Sequence, residues 1–297
     1  MSYNGNMDYK VIEVPCKTAL YRHSTKWLPF NYDINVYRGC AHRCIYCYAQ
    51  YSHEYLGGGD FFGNIYAKTN VAEVLRRELP RFNREVVNLG GVTDSYQPAE
   101  REHALLPGVL KLLADYKVPV ILSTKSPLIL RDTELYCRIH REAGAMTAFT
   151  VTTMDERVAA LVEPGSERPA ARMEAVKELK KAGLTCGVHM MPVMPLLTDS
   201  ADSLEAVFAA AREAGADYVL ASGLNLKGAT RQGFFEAVRQ RFPSLYTDMM
   251  GLYADRAAWR DAKEKAFDTI HRLREKYRMP SYVTLREKPA PQQLSFL

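Results

Sequence analysis

Short runs of branched apolar residues alternate with segments of helical periodicity along most of the chain. A regular alternation of strands and helices is typical of parallel β/α units, because each helix carries the chain back to the start of the next strand. We therefore predict an α/β fold, a partial (β/α)6 TIM-like parallel barrel with its helices on the outside. The predicted strands are residues 34–38, 86–91, 118–124, 148–152, 184–193 and 218–222, and the predicted helices are residues 71–79, 99–115, 132–143, 168–182 and 204–214.

Functional groups of such a fold collect where the strands end at their carboxyl side. We expect the segments that follow the six strands to face one mouth of the barrel. The C-terminal part predicts a small helical and β extension, with helices over residues 231–279 and a strand near residues 282–285. The predicted boundaries are an N-terminal extension at residues 1–30, the barrel at 31–225, the C-terminal extension at 226–286 and a flexible tail at 287–297.

Composition and charge narrow the location and the class of partner. Hydrophobic residues make up 47% of the chain and charged residues 25%, which is ordinary for a globular protein. No apolar run approaches the roughly 20 residues that a membrane helix needs. The polar N-terminus lacks the apolar core of a signal peptide, so we expect no membrane partner and a cytoplasmic location. The net charge of +5 is compatible with a nucleic-acid substrate.

Three of the six cysteines lie in one short loop after the first predicted strand, where Cys40, Cys44 and Cys47 form the spacing C-x3-C-x2-C. Clustered thiols in an intracellular chain indicate metal ligands, and three thiolates this close fit three corners of a cubane [4Fe–4S] cluster. Such clusters ordinarily use four cysteines; no fourth lies nearby, so one iron is left open for a ligand. A zinc site with His42 as fourth ligand is the alternative, although structural zinc sites usually bring their ligands in two separated pairs.

The spacing of these cysteines, with Tyr46 before the third, resembles the signature of the radical SAM superfamily. The resemblance implies a [4Fe–4S] cluster on Cys40, Cys44 and Cys47, with S-adenosylmethionine as the second cofactor on the open iron. It also implies reductive cleavage of S-adenosylmethionine to a 5′-deoxyadenosyl radical that abstracts hydrogen from a substrate. The cofactor then carries the difficult chemistry, and the protein supplies position and exclusion of water.

Residues that follow the other predicted strands match cofactor-binding positions of that superfamily. The glycines of Gly90-Gly91 let a ligand approach the backbone closely, and Lys125 is suited to pair with the methionyl carboxylate. Each residue also has an ordinary structural explanation: a turn, a surface lysine, strand threonines, surface arginines on a capped helix or a core histidine. The predicted cofactor-binding residues are Tyr46, Gly90, Gly91, Thr93, Asp94, Lys125, Thr150, Thr152, Arg172 and His189.

Within the superfamily the chain resembles spore photoproduct lyase and its relatives. The lyase family has a cysteine just after the second strand that returns a hydrogen to the substrate radical, whereas this chain has Gly91 at or near that place. Cys186 and Tyr96 are the catalytic candidates for this hydrogen relay. The shared motifs are Thr93-Asp94, Thr124-Lys125-Ser126, and Glu163-Pro164-Gly165-Ser166 followed by Arg172-Met173-Glu174-Ala175.

These observations predict a radical SAM enzyme that acts on DNA as a spore photoproduct lyase-like repair enzyme. The same chemistry on a peptide, an RNA or a small metabolite is one alternative, and a non-catalytic iron–sulfur or zinc protein is another. The expected partners are DNA and a reductase or flavodoxin that donates electrons. The last residues, from Gln293 to Leu297, resemble the peptide by which bacterial repair proteins dock on the DNA sliding clamp, with folding back onto the domain as the alternative.

Overall fold

The computed structural model describes residues 9–25, 28–56 and 58–285. No helix in this part of the chain has both the length and the apolar character of a transmembrane span. The strands are β1 (Lys10–Val14), β2 (Tyr21–Arg22), β3 (Tyr32–Ile34), β4 (Tyr37–Arg38), β5 (Asn64–Lys68), β6 (Val87–Leu89), β7 (Val120–Thr124), β8 (Ala145–Thr150), β9 (Thr185–Val193) and β10 (Val219–Gly223).

Helices fill most of the chain between these strands. The α-helices are α1 (Val71–Glu78), α2 (Glu100–His103), α3 (Leu105–Asp115), α4 (Thr133–Glu142), α5 (Glu156–Val162), α6 (Pro169–Lys181), α7 (Ala201–Glu213), α8 (Gly228–Arg241), α9 (Tyr246–Ala254) and α10 (Arg256–Tyr277). The 3-10 helices are Tyr48–Leu56, Leu79–Arg81, Pro127–Asp132 and Pro243–Leu245.

Seven strands form the main sheet, in the spatial order β10-β9-β8-β7-β6-β3-β2. Six of them, β3 and β6 to β10, are parallel neighbours in chain order, and β2 pairs antiparallel with β3 at one edge. This arrangement confirms the predicted parallel α/β architecture of six β/α units. A smaller sheet, in the order β1-β5-β4, was not predicted.

The first predicted strand, residues 34–38, is wrong in its extent. β3 leaves the main sheet after Ile34, and the next paired residues, Tyr37 and Arg38, form β4 in the smaller sheet with β5. The chain therefore changes sheets immediately before the cysteines. The small sheet thus supports the cysteine loop (residues 39–48) from the side.

The predicted helix over residues 99–115 is broken at Ala104, which has a φ of +44°. This left-handed residue ends α2, and α3 begins directly after it. The buried carboxylate of Glu100 accepts hydrogen bonds from the N–H groups of Leu105 and Leu106, both at 3.0 Å. Glu100 thereby satisfies backbone donors that the start of a helix leaves without partners.

The predicted strand at residues 282–285 is also wrong, because this segment is irregular. Its apolar side chains Val283 and Leu285 pack against Ile121 and Met146 near the amino-terminal ends of β7 and β8. These residues form an apolar plug across the barrel interior, at the end opposite the mouth.

Successive side chains of a strand point to opposite faces of the sheet. The two faces of the barrel strands therefore have different neighbours. One face packs on the helices in the main core and includes Val120, Leu122, Phe149 and Val188. The other face looks into the barrel and, besides the apolar residues that contact the plug, carries polar side chains. These are Asp33, Asn88, Ser123, Thr150 and His189.

The C-terminal helices α8 and α9 pack on the cysteine loop. Phe235 and Met249 share one apolar cluster with Cys44, and Thr230 donates a hydrogen bond to the carbonyl of Cys47 at 3.2 Å. The boundary at residue 226 stays a prediction. The predicted tail at residues 287–297, with the clamp-like peptide, lies outside the described residues.

Candidate active site

The cysteine loop begins with a backbone turn that only glycine accommodates. Gly39 has a φ of +78°, and a Cβ there would lie 2.3 Å from the carbonyl oxygen of Asn64. The Gly39 carbonyl accepts hydrogen bonds from Thr93 Oγ1 at 2.6 Å and from Gln97 Nε2 at 3.0 Å. The Gln97 amide oxygen in turn accepts from the N–H of Ala41 at 2.9 Å. Buried side chains therefore fix the loop on both sides of its first ligand, Cys40.

The opposite side of the loop rests on the glutamate loop (residues 163–166). The N–H of Gly165 donates to the His42 carbonyl at 2.9 Å, and a Cβ on Gly165 would lie 2.0 Å from the Ala41 carbonyl oxygen. The N–H of Ile45 donates to the Val162 carbonyl at 3.0 Å. This close backbone contact explains why the Glu-Pro-Gly-Ser motif has a glycine at its third position.

The three thiols of the loop converge on one region. Cys40 and Cys44 are buried and Cys47 is partly buried. Burial raises the pKa of Cys44, and burial together with the charge of Cys40 raises the pKa of Cys47 to about 12. Against the effect of burial, His42 instead lowers the pKa of Cys40. For Cys44 and Cys47, a bound metal would supply the positive charge that ionisation requires.

The remaining cysteines lie elsewhere: Cys16 beside Asn70, Cys137 beside Ala182, and Cys186 behind the sheet. Within the described residues, no group of three or more histidine, cysteine, aspartate or glutamate side chains is placed to hold a single metal ion. The thiolate ligands of a cubane bind different irons and so stand farther apart than the ligands of one ion. Three thiols without a fourth fit a cluster that keeps one iron open.

A buried ion pair lies beside the loop. Arg172 Nη1 and Glu163 Oε2 are 2.5 Å apart, and both side chains are almost fully buried. Glu163 also accepts hydrogen bonds from the Tyr46 hydroxyl and, at 3.2 Å, from Thr152 Oγ1. Burial raises the pKa of Glu163, but the charges of Arg172 and Lys125 and the hydrogen bonds from Tyr46 and Arg172 together outweigh burial and lower the pKa. Tyr46, Thr152 and Arg172 are thus held together by one carboxylate, which the sequence did not reveal as their common partner.

Lys125 projects from the end of β7 toward these groups. Its Nζ lies 5.7 Å from the centre of the Tyr46 ring. Burial lowers the pKa of Lys125, but the surrounding Cys44, Glu163 and Asp94 outweigh burial and raise it above its usual value. The structure therefore places a fixed positive charge at the mouth, beside the thiols.

Asp94 joins three segments of the mouth. Its carboxylate accepts hydrogen bonds from Thr124 Oγ1 at 2.7 Å and from the N–H of Lys125 at 2.8 Å. Its Oδ2 also lies 3.3 Å from Nδ1 of the buried His42. Asp94 positions the cysteine loop against the end of β7, and its predicted contact with a cofactor stays a prediction.

The interior above the plug is polar on the side of β7 to β9. Ser123 Oγ lies 3.3 Å from Thr150 Oγ1, and His189 Nε2 lies 3.1 Å from the Tyr218 hydroxyl. Burial and the charge of Lys125 lower the pKa of His189 to about 4. His189 is therefore a neutral imidazole near pH 7, available as a hydrogen-bonding group.

Two predicted catalytic residues are not brought to this mouth. Cys186 lies on the helix-facing side of β9 in the main core, one residue out of phase with the inward face. The Tyr96 hydroxyl donates to Asp132 at 2.8 Å and lies 3.4 Å from that of Tyr136, in the same fully buried core. Both side chains lie in the core beneath the helices, so their placement gives the predicted hydrogen relay no support.

Gly91 is confined by its surroundings. A Cβ there would lie 2.6 Å from Asp33 Oδ1, and its carbonyl accepts a hydrogen bond from the Tyr48 hydroxyl at 2.5 Å. A larger residue at position 91 therefore requires Asp33 to move. The sequence indicated a glycine motif here, but gave no sign that Asp33 fills the space beside it.

A parallel β/α fold with three clustered thiols and a lysine at its mouth defines a class of iron–sulfur enzymes that bind a second cofactor at an open iron. The family model "Radical SAM superfamily" matches residues 34–223. The chain belongs to the radical SAM superfamily, and its cofactors are a [4Fe–4S] cluster and S-adenosylmethionine. The iron–sulfur interpretation of the cysteine loop is thereby supported over the zinc alternative.

Relatives occur in bacteria, archaea and a virus. An uncharacterised protein of Mycobacterium tuberculosis is 40% identical over 247 residues, which are 81% of this chain and 73% of the relative. An uncharacterised protein of Methanocaldococcus jannaschii is 25% identical over 65% of this chain and 71% of its own. One from Acidianus two-tailed virus is 24% identical over 79% of this chain and 84% of its own.

Solved structures of spore photoproduct lyase share the fold. A tyrosine-to-phenylalanine variant aligns with a TM-score of 0.63 at 16% identity, over 92% of this chain and 82% of its own. A double variant with bound S-adenosylmethionine and dinucleoside spore photoproduct aligns with a TM-score of 0.58 at 16% identity. That alignment covers 78% of this chain, and this chain spans 66% of that lyase's length.

Proposed function

We propose that the protein cleaves S-adenosylmethionine reductively and directs the resulting radical chemistry at a lesion in DNA, as a spore photoproduct lyase-like repair enzyme. The observation that carries the proposal is the meeting of Cys40, Cys44 and Cys47 with Lys125 at one barrel mouth. The bound cofactors supply a carbon radical that is strong enough to remove hydrogen from a substrate. The cytoplasmic location, the electron donor and the clamp contact stay predictions.

Different residues of the chain bind different parts of the cofactors. The three thiolates hold the cluster and leave one iron open, and Lys125 offers a charge-assisted hydrogen bond to the methionyl carboxylate. Gly90 has a φ of +92°, and a Cβ there would lie 2.7 Å from the Thr93 carbonyl oxygen, so glycine is needed for the turn itself. We assign the amino end of the ligand to the backbone of this turn. Thr150 and the neutral His189 offer hydrogen bonds to the nucleoside.

Several features support DNA as the substrate. The fold is that of a lyase whose structures contain a dinucleoside spore photoproduct, and the chain carries a net charge of +5. Tyr48 and Tyr51, directly after the last cluster cysteine, are 61% and 45% exposed. Exposed aromatic rings provide stacking surfaces for unpaired bases, and a base must leave its stack to reach a barrel interior.

The proposal is tested with anaerobically reconstituted protein, dithionite and S-adenosylmethionine. Formation of 5′-deoxyadenosine is measured with lesion-free DNA and with a single strand that contains the spore photoproduct. We expect 5′-deoxyadenosine in both cases, with faster formation and consumption of the lesion in the second. The Cys137→Ser variant, whose thiol lies far from the loop, is expected to behave like the wild type.

Two outcomes would count against different parts of the proposal. Absence of 5′-deoxyadenosine in protein that contains a full cluster contradicts the reductive cleavage. Formation of 5′-deoxyadenosine at a rate that no lesion-bearing DNA changes, with the lesion left intact, contradicts the assignment to DNA repair and leaves the cofactor chemistry standing.

A further inference from the structure

The barrel interior has two polar sides. Ser123, Thr150 and His189 lie on the side of β7 to β9, near Lys125, where the proposed function places the cofactor. On the opposite side, Asp33 of β3 and Asn88 of β6 are direct neighbours in the sheet register. The proposed cofactor contacts leave this pair unused.

Asp33 is only partly satisfied by the protein. Its Oδ1 accepts a hydrogen bond from Asn88 Nδ2 at 2.7 Å, whereas Oδ2 lies 4.0 Å from its ionic neighbour, His23 Nε2. Oδ2 accepts no hydrogen bond from any residue that the structure describes. The Asp33 side chain is 21% exposed, and Asn88 is half-buried. The pair therefore offers an open acceptor beside an amide that still has one N–H to donate.

The pair also lies next to the glycine motif and the cysteine loop, where the cofactors are proposed to bind. The Asp33 carboxylate occupies the space beside Gly91, as the 2.6 Å approach to a Cβ at that position indicates. The Gly91 carbonyl is bonded to the hydroxyl of Tyr48, the residue after Cys47. A ligand that reaches Asp33 thus lies beside both the glycine motif and the cysteine loop.

We propose that Asp33 and Asn88 form a recognition site for the imide edge of a thymine base. This edge presents one N–H between two carbonyl oxygens. Oδ2 of Asp33 accepts the imide N–H, and the remaining N–H of Asn88 donates to the adjacent carbonyl. Cytosine would place a ring acceptor against the carboxylate, and leaving buried polar groups unpaired is what makes such sites selective. The inference rests on the proposed function and assigns the two residues that select the base.

The test measures binding of the reconstituted protein, with S-adenosylmethionine present, to a short single strand that contains one pair of adjacent thymines. In Asp33→Asn the amide oxygen keeps the bond to Asn88, and its NH2 group then opposes the imide N–H. We expect the affinity to fall at least about tenfold, as for loss of a hydrogen bond to a charged group. Asp261→Asn, on the exposed face of α10, serves as the matched control and should leave the affinity unchanged.

A second measurement changes the DNA instead of the protein. Methylation of the thymine N3 atoms removes the imide N–H, and we expect about tenfold weaker binding to the wild type with no further loss in Asp33→Asn. If the wild type binds methylated and unmethylated DNA equally well, the inference is overturned. It is also overturned if Asp33→Asn still binds S-adenosylmethionine and binds the DNA as tightly as the wild type does. Wild-type protein that cleaves S-adenosylmethionine but binds neither strand overturns the DNA proposal as well, so the two failures are distinguishable.

Discussion

Two carboxylates near the mouth of the barrel have opposite surroundings. On the side of β8, Glu163 is saturated by Arg172, Tyr46 and Thr152 and is almost fully buried. On the side of β3, Asp33 is held by a single hydrogen bond from Asn88 and is partly exposed. One carboxylate has all its partners within the protein, and the other keeps an open acceptor.

This difference separates fixed geometry from recognition. A group that orients a cofactor must itself be locked by packing and hydrogen bonds. A group that recognises a substrate must keep a hydrogen-bonding position open until the substrate arrives. The contrast gives four experimental expectations, which follow in order of decreasing effect.

The largest effect is expected from Cys44→Ala. Removal of one of only three thiolates leaves the cluster without a ligand that no nearby residue replaces, so iron content and 5′-deoxyadenosine formation should fall to background. The iron content is measured after anaerobic reconstitution and compared with that of Cys137→Ser. A Cys44→Ala protein that keeps both the cluster and the cleavage activity would contradict the assignment of the loop.

The second effect concerns Glu163, the carboxylate that is saturated by protein partners. Glu163→Gln leaves the Arg172 guanidinium buried without its counter-charge, and breaking a buried pair from one side costs about 3–5 kcal/mol in the free energy of unfolding. Urea unfolding measures this loss. Asp33→Asn, which keeps its bond to Asn88 at a partly exposed site, should cost less than about 1 kcal/mol. Equal losses of unfolding free energy in the two variants would contradict the contrast between the two carboxylates.

The third effect concerns the charge at the mouth. Lys125→Met keeps most of the side-chain volume and removes the ammonium group, so the dissociation constant of S-adenosylmethionine should rise about 10- to 100-fold, as for a lost hydrogen bond between charged groups. Lys125→Arg should recover part of the affinity. Titration of the anaerobic protein measures both, and wild-type affinity in Lys125→Met would rule out this role.

The smallest effect is a pH dependence of stability. Because the pKa of His189 is lowered to about 4 in the folded protein, only the unfolded chain binds a proton there as the pH falls below about 6.5. This residue's contribution is complete above that pH and is lost on acidification. The loss should reach about 2 kcal/mol at pH 5. The His189→Gln variant should lack this part of the pH dependence when urea unfolding is compared at pH 7 and pH 5, and an identical slope in both proteins would contradict it.

The strand pattern and the cysteine spacing predicted the parallel units and the cluster loop, because both signals are local. The period of two within a strand also indicates the face of β9 on which Cys186 lies. It shares the helix-facing phase of β9 with Val188 and Met190, whereas His189 has the inward phase. A check of phase along residues 184–193 separates these two residues without any structure.

The supporting contacts were beyond the sequence, because they join distant positions. Gln97 contacts residues 56 and 58 positions before it, and Asp33 meets Asn88 across 55 positions. No spacing rule connects such pairs. The change of sheets after Ile34 and the break at Ala104 likewise depend on tertiary partners, which override the apparent continuity of a strand or a helix.

The packing of α8 on the cysteine loop has a consequence for the order in which the protein matures. Thr230 bonds the Cys47 carbonyl across 183 positions, so the ribosome completes the thiol ligands long before the helix that shelters them. A nascent chain therefore displays an uncovered loop to whatever delivers iron and sulfide.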